Sequence, residues 1–185
     1  MSGHAAPGTL PTADAVRGDI TMPVRYITAY MKANGLTLVT AESCTAGLIA
    51  STIVDTPGAG ELLDCAFVTY SPAAKERCLG VRRETWTRHN LTSEPVAREM
   101  ALGALARSDA DIAIANTGVA DAVDPAIAAG TQCFAWAFRG SAGAPFVVTE
   151  TRVFPGDRNT VRHRSARYAL ARIVALHLRR IRPRS

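Results

Sequence analysis

Lysine is nearly absent from this 185-residue chain: only Lys32 and Lys75 occur, against nineteen arginines. Arginine stays protonated at neutral pH, whereas a desolvated lysine can lose its proton, so a neutral amine base is available at two positions only. No apolar run approaches the ~20 residues that a membrane helix needs. The four cysteines, Cys44, Cys65, Cys78 and Cys133, form no Cys-x-x-Cys pair and no zinc-finger spacing with histidine, so no metal site is expected. A chain of this length needs no disulfide framework, and buried thiols in a reducing cytoplasm are the simplest reading. The four histidines assemble no triad: His4 lies near the start, His89 among polar residues, and His163 and His177 in the last segment. The first twenty residues have no basic stretch followed by an apolar one, so no secretory signal is expected. Their Ala, Gly, Pro, Thr and Asp content predicts a disordered arm over 1–20.

Acidic residues are missing from one region. From Arg158 to the end there are nine arginines and no Asp or Glu, while the rest of the chain is net negative. The overall charge of +5 therefore reflects one basic helix and a short tail over 181–185, not a nucleic-acid footprint spread along the chain. A solvated helix face with cations toward its C-terminus accounts for it; an arm for an anionic partner is the competing reading.

What is present is an alternation of periods. Thr21 to Asn34 has helical spacing and stops at Asn34-Gly35. Leu36 to Thr40 is a short β-rich run that ends in Glu42-Ser43-Cys44-Thr45-Ala46-Gly47, and helical spacing follows as far as Asp55. Ala66 to Tyr70 predicts a second strand, and Ser71-Pro72 starts a helix carrying Lys75 that stops near Gly80. Glu84 to His89 and Glu94 to Arg107 predict helices, the latter capped by Ser93. Asp111 to Ala115 predicts a strand, followed by Asn116-Thr117-Gly118 and a long loop to Gly130. Thr131 to Phe138 and Phe146 to Phe154 predict an antiparallel hairpin with Phe134, Trp136 and Phe138 on one face. Asp157 caps a final helix to about Arg180. Strand–helix alternation followed by a hairpin predicts one α/β domain over 21–180, a three-layer α/β/α sandwich with a mixed sheet. Ligands in such folds gather beyond the carboxyl ends of strands. Two turns qualify, Glu42 to Gly47 and Asn116 to Ala120.

The first turn sets a hydroxyl and a thiol where a helix begins. Ser43 can be a nucleophile beside free helix amides, or an ordinary N-cap. Cys44 is a rival nucleophile or a small buried hydrophobe. Lys75 follows a strand and a capped turn, so it can meet Ser43 as its base, or it can be an exposed helix lysine. Glu42 can orient a substrate or Lys75, or cap backbone groups.

These segments resemble a known family. Thr40 to Gly47 reads T-A-E-S-C-T-A-G and resembles the T-A-E-S-C-T-G-G signature of the competence/damage-inducible protein A C-terminal domain. Tyr70-Ser71, Lys75 and Leu79-Gly80-Val81 look like its Y-S-N-x-x-K…L-G-V stretch. Ser93-Glu94 with Val96-Ala97, Thr117 to Ala120, and Phe154 to Arg158 with Arg162 are similar to three further motifs, in the same order. The resemblance implies hydrolysis of the amide of nicotinamide mononucleotide to nicotinic acid mononucleotide and ammonia, without a cofactor. It implies Ser43, Lys75 and Tyr70 as catalytic residues. It implies substrate contacts at Glu42, Cys44, Thr45, Gly47, Thr117, Gly118 and Arg158, with Arg158 suited to the phosphate. A small nucleotide as partner, no nucleic acid, no membrane, a cytoplasmic location and a homo-oligomer complete the expectation; the apolar faces of the hairpin add to the last.

One segment departs from the family pattern. The family carries a glycine-rich loop after this point, and Asp121 to Ala129 lacks those glycines and a following lysine. Ala46 also replaces a family glycine. Glycines let backbone amides approach a phosphate, whereas Asp121 and Asp124 repel one. Altered substrate choice, or a non-catalytic nucleotide-binding protein, is the alternative expectation.

Overall fold

The apolar runs pair into one five-stranded sheet. The computed structural model describes residues 22–122, 124–140 and 143–181; the arm expected over 1–20 and residues 182–185 of the tail lie outside the described residues. In chain order the elements are α1 (Val24–Ala33), β1 (Leu38–Glu42), α2 (Leu48–Val54), β2 (Leu63–Val68), α3 (Pro72–Leu79), α4 (Arg83–His89), α5 (Glu94–Leu105), β3 (Ile112–Gly118), β4 (Thr131–Phe138), β5 (Phe146–Val153) and α6 (Arg158–Ile181). The sheet order is β2-β1-β3-β4-β5. β1 pairs in parallel with β2 and β3, and β4 pairs antiparallel with β3 and β5. The mixed α/β sheet expected from the alternation of periods is the architecture observed.

Strand alternation sorts the core by size. Ile112, Ile114, Phe134, Trp136 and Phe138 face α1, α2 and α6, forming the larger core cluster. Ala41, Ala113, Ala115, Ala135 and Ala137 face α5 and form the other. Small side chains on that face let α5 sit close to the sheet. Close approach continues outward: a Cβ on Gly103 of α5 would lie 1.9 Å from the Leu79 carbonyl oxygen, so only glycine fits where α3 ends against α5.

Three expectations need correction. β3 runs through Asn116, Thr117 and Gly118 instead of ending at Ala115, because these residues still pair with β1 or β4 and their polar side chains find partners at the site described below. The aromatic face of the hairpin is not available to a second chain: Phe134, Trp136 and Phe138 are fully buried beneath the helices of the same chain, and Trp136 Nε1 donates to the Ala169 carbonyl at 2.9 Å. The thiols are not uniformly buried: Cys44 and Cys133 are, whereas Cys65 and Cys78 are half-buried. Among the described residues no helix is long and apolar enough to cross a membrane.

Candidate active site

β1, β2 and β3 are parallel, so their carboxyl ends meet on one rim of the sheet. The chain leaves β1 toward α2 on one face, and leaves β2 toward α3 and α5 on the other. β1 is therefore the strand from which connections diverge, and a crevice opens beyond its carboxyl end. A cleft of about 330 Å³ lies there, lined among others by Ser43, Cys44, Tyr70, Lys75, Thr117, Gly118 and Arg158. That size suits a small ligand.

The turn after β1 is held by a carboxylate inside it. Glu42 is fully buried. Its Oε2 accepts the N–H groups of Gly47 at 2.8 Å and Ile49 at 3.0 Å, and its Oε1 accepts that of Ala50 at 2.9 Å. These are donors that a helix start leaves unpaired, and a carboxylate there also suits the helix dipole. The turn itself needs left-handed backbone at Ala46 (φ 48°) and Gly47 (φ 93°). Glu42, expected among the substrate contacts, thus serves the backbone and does not line the cleft. Thr45 and Gly47 do not line it either: the Thr45 N–H is bonded to Asn116 Oδ1 at 3.1 Å, and Gly47 supplies the turn geometry.

Ser43 lies at the floor. Its N–H donates to the Asn116 carbonyl at 3.0 Å, and its Oγ lies 2.8 Å from Lys75 Nζ. Lys75 is 1% exposed, not the solvent-facing lysine that its helix position also allowed. Its Nζ also donates to the carbonyls of Thr69 at 2.7 Å and Tyr70 at 3.1 Å. An ammonium has three N–H groups, and here each has an acceptor. A neutral amine would keep two N–H groups on the two carbonyls and turn its lone pair to the Ser43 hydroxyl. Burial removes water from the ammonium and pushes the Lys75 pKa down to about 8.

Around Ser43 nearly every amide is occupied. The N–H of Ser43, Thr45, Ala46, Gly47, Leu48, Ile49 and Ala50 each has an acceptor, whereas among the described residues that of Cys44 has none. The Cys44 side chain is buried, and burial raises its thiol pKa despite a hydrogen bond from Gln132 and the nearby Arg158 and Arg162 charges. Its Sγ accepts from Gln132 Nε2 at 3.4 Å. A protonated, desolvated thiol is a poor nucleophile.

Tyr70 is split between two sites. Its carbonyl receives Lys75 at the floor, while its hydroxyl accepts from Arg158 Nη2 at 3.1 Å at the mouth. Arg158 Nη1 donates to Asp121 Oδ2 at 2.6 Å. The guanidinium expected to be ready for a phosphate is therefore already paired. Thr117 donates its hydroxyl to the Leu91 carbonyl at 3.0 Å.

Several supports were not read from the sequence. Asn116 Nδ2 donates to Gln132 Oε1 at 2.9 Å, and Gln132 Nε2 donates to the Val119 carbonyl at 3.0 Å. Arg162 reaches from α6 to the carbonyls of Cys44 at 3.0 Å and Thr45 at 3.2 Å. Asn90, Leu91 and Thr92 also line the cleft. Two polar residues inside otherwise apolar strands, Asn116 and Gln132, were the available signal, because buried amides require partners.

The chain has relatives. The CinA C-terminal domain model matches residues 22–176. A putative competence-damage inducible protein of Symbiobacterium thermophilum is 48% identical over 145 residues, covering 75% of this chain but 34% of that protein. The nicotinamide-nucleotide amidohydrolase PncC of Escherichia coli K12 is 42% identical over 142 residues, covering 76% of this chain and 84% of that one. The crystal structure of competence/damage inducible protein CihA from Agrobacterium tumefaciens superposes with a TM-score of 0.78 at 33% identity, covering 92% of this chain and 99% of that one. The family model over residues 22–176, the sequence identity and the shared fold place the chain in the CinA C-terminal domain family.

Proposed function

We propose that the chain is a serine amidohydrolase that cleaves the primary carboxamide of a nicotinamide nucleotide or a closely related small amide. The observation that carries this reading is the 2.8 Å contact between Ser43 Oγ and a lysine amine that is buried and easily deprotonated. The E. coli relative named for this reaction supports the choice of substrate class.

The chemistry follows from the groups in place. Neutral Lys75 accepts the Ser43 hydroxyl proton as Oγ attacks the carboxamide carbon. The unoccupied Cys44 N–H receives the developing oxyanion, so Cys44 acts through its backbone and not its thiol. The tetrahedral intermediate collapses, the C–N bond breaks, and Lys75 returns the proton to the departing nitrogen, releasing ammonia. Water then attacks the acyl ester; Lys75 takes its proton and passes it to Ser43 Oγ, freeing the carboxylic acid. Asn116, itself held by Gln132, and Arg162 keep the turn in register by holding its N–H and carbonyl groups. Arg158 and Tyr70 meet the distal part of the substrate at the mouth.

Ammonia release from nicotinamide mononucleotide, measured for the wild type and for Ser43→Ala, tests the proposal. Turnover is expected to fall by about 10³-fold or more in the variant. Equal ammonia release from both proteins would reject it.

A further inference from the structure

The mouth of the cleft carries a charge arrangement poorly suited to a phosphate group. Among the described lining residues the cations are Lys75 and Arg158. Lys75 is sealed at the floor, with three acceptors on its amine. Arg158 is half-exposed at the mouth, with Nη1 on Asp121 Oδ2 at 2.6 Å and Nη2 on the Tyr70 hydroxyl at 3.1 Å. A second carboxylate, Asp124, also lines the cleft. Among the described residues its carboxylate oxygens accept only neutral donors, the Ala126 N–H at 2.9 Å and Asn90 Nδ2 at 3.4 Å. Above the sealed Lys75 amine, the described lining thus holds two carboxylates against one guanidinium.

The helix start nearest Ser43 offers no compensation. A phosphate at a helix N-terminus needs free amides. At α2 those of Gly47, Ile49 and Ala50 are filled by the Glu42 carboxylate. A phosphomonoester entering here has to displace Asp121 from Arg158 or share the guanidinium with it at short range, and two anions at that range repel. A ribosylated pyridinium carboxamide without a phosphate meets no such penalty, and its ring cation is attracted by the same carboxylates.

We propose that Asp121 is a specificity-determining residue that occupies the phosphate position on Arg158 and turns the cleft toward ribonucleoside amides over the corresponding mononucleotides. The proposal rests on the amidohydrolase reading for its substrate class. Its binding test stands apart from catalysis.

The test compares kcat/KM for nicotinamide mononucleotide and for nicotinamide riboside in the wild type, Asp121→Asn and Asp121→Ala. The wild type is expected to favour the riboside. Removing the carboxylate charge is expected to raise the mononucleotide-to-riboside ratio about tenfold, the effect of one close charge contact near a protein surface. The gain should shrink in 0.5 M salt, about five times the ionic strength at which screening already reaches ~10 Å. A mononucleotide preference in the wild type, or a ratio unchanged or lowered in both variants, would overturn the proposal. Calorimetry with the same two ligands on Ser43→Ala and Ser43→Ala/Asp121→Asn reads selectivity without turnover. A tenfold shift there supports the role of Asp121 even if the wild type releases no ammonia, a result that would remove the amidohydrolase reading alone. No shift in binding, alongside active wild type, would remove the role of Asp121 and leave the amidohydrolase reading standing.

Discussion

On the proposed mechanism, the protonation of Lys75 sets the pH at which this site works. With a pKa of about 8, roughly one lysine in ten is neutral at pH 7, against about one in three thousand for an unperturbed lysine; burial enlarges the reactive fraction about 300-fold. The expected profile of kcat/KM rises close to tenfold per pH unit below pH 7.5 and levels above about pH 8.5, because kcat/KM reports the free enzyme. Lys75→Arg keeps a cation but supplies no base, and is expected to lose about 10³-fold in turnover. Stability carries the same signature. The folded pKa is depressed from an ordinary value near 10.5 to about 8, so between these limits the unfolded chain holds more protons than the folded one. Stability contributed by this group therefore rises with pH across that window. Below pH 8 the buried charge costs a constant ~3 kcal/mol relative to pH values above the ordinary lysine pKa. Urea unfolding at pH 7.5 and pH 10 should show this slope in the wild type and lose it in Lys75→Met. A flat kcat/KM from pH 6 to 9, or substantial activity in Lys75→Arg, would refute the assignment of Lys75 as the base.

Other consequences follow from the turn around Ser43. Cys44→Ala keeps the backbone N–H and should lose less than about tenfold in ammonia release, whereas a nucleophilic thiol would make it as inactive as Ser43→Ala. Glu42→Gln replaces two charged acceptors by one neutral acceptor and a donor facing amides; it should cost about 1–3 kcal/mol in urea unfolding. Ala46, left-handed at φ 48° and exposed, is expected to gain up to ~1 kcal/mol on substitution by glycine, raising the Tm by about 2–4 °C in a thermal melt.

Periodicity and punctuation carried the fold from the chain alone. Helical spacing in Glu94 to Arg107, the Ser71-Pro72 start and the Phe134-Trp136-Phe138 alternation are local properties, each set by backbone geometry and by which side chains share a face. They predicted a mixed α/β sheet, and the strand pairing observed is of that kind. Scarcity was also informative: with two lysines in the chain, Lys75 was a candidate base or an exposed helix lysine, and only the family resemblance favoured the base.

Partnership was not local. Whether Lys75 faced solvent or Ser43 depended on β1 and β2 lying side by side, which brings residues 32 apart in the chain to 2.8 Å. Glu42 could orient a substrate or cap a helix until the fold placed it fully inside, on three amides. Arg158 and Asp121 were each read alone, one attracting a phosphate and the other repelling it. Their ion pair, formed between residues 37 positions apart, is a property of neither. A sequence specifies which groups are available and which face they take, because those follow from short-range sterics and hydrophobic period. Only the folded chain decides which charges neutralise each other and which amide is left free, because both depend on distances set by packing between elements far apart in the chain.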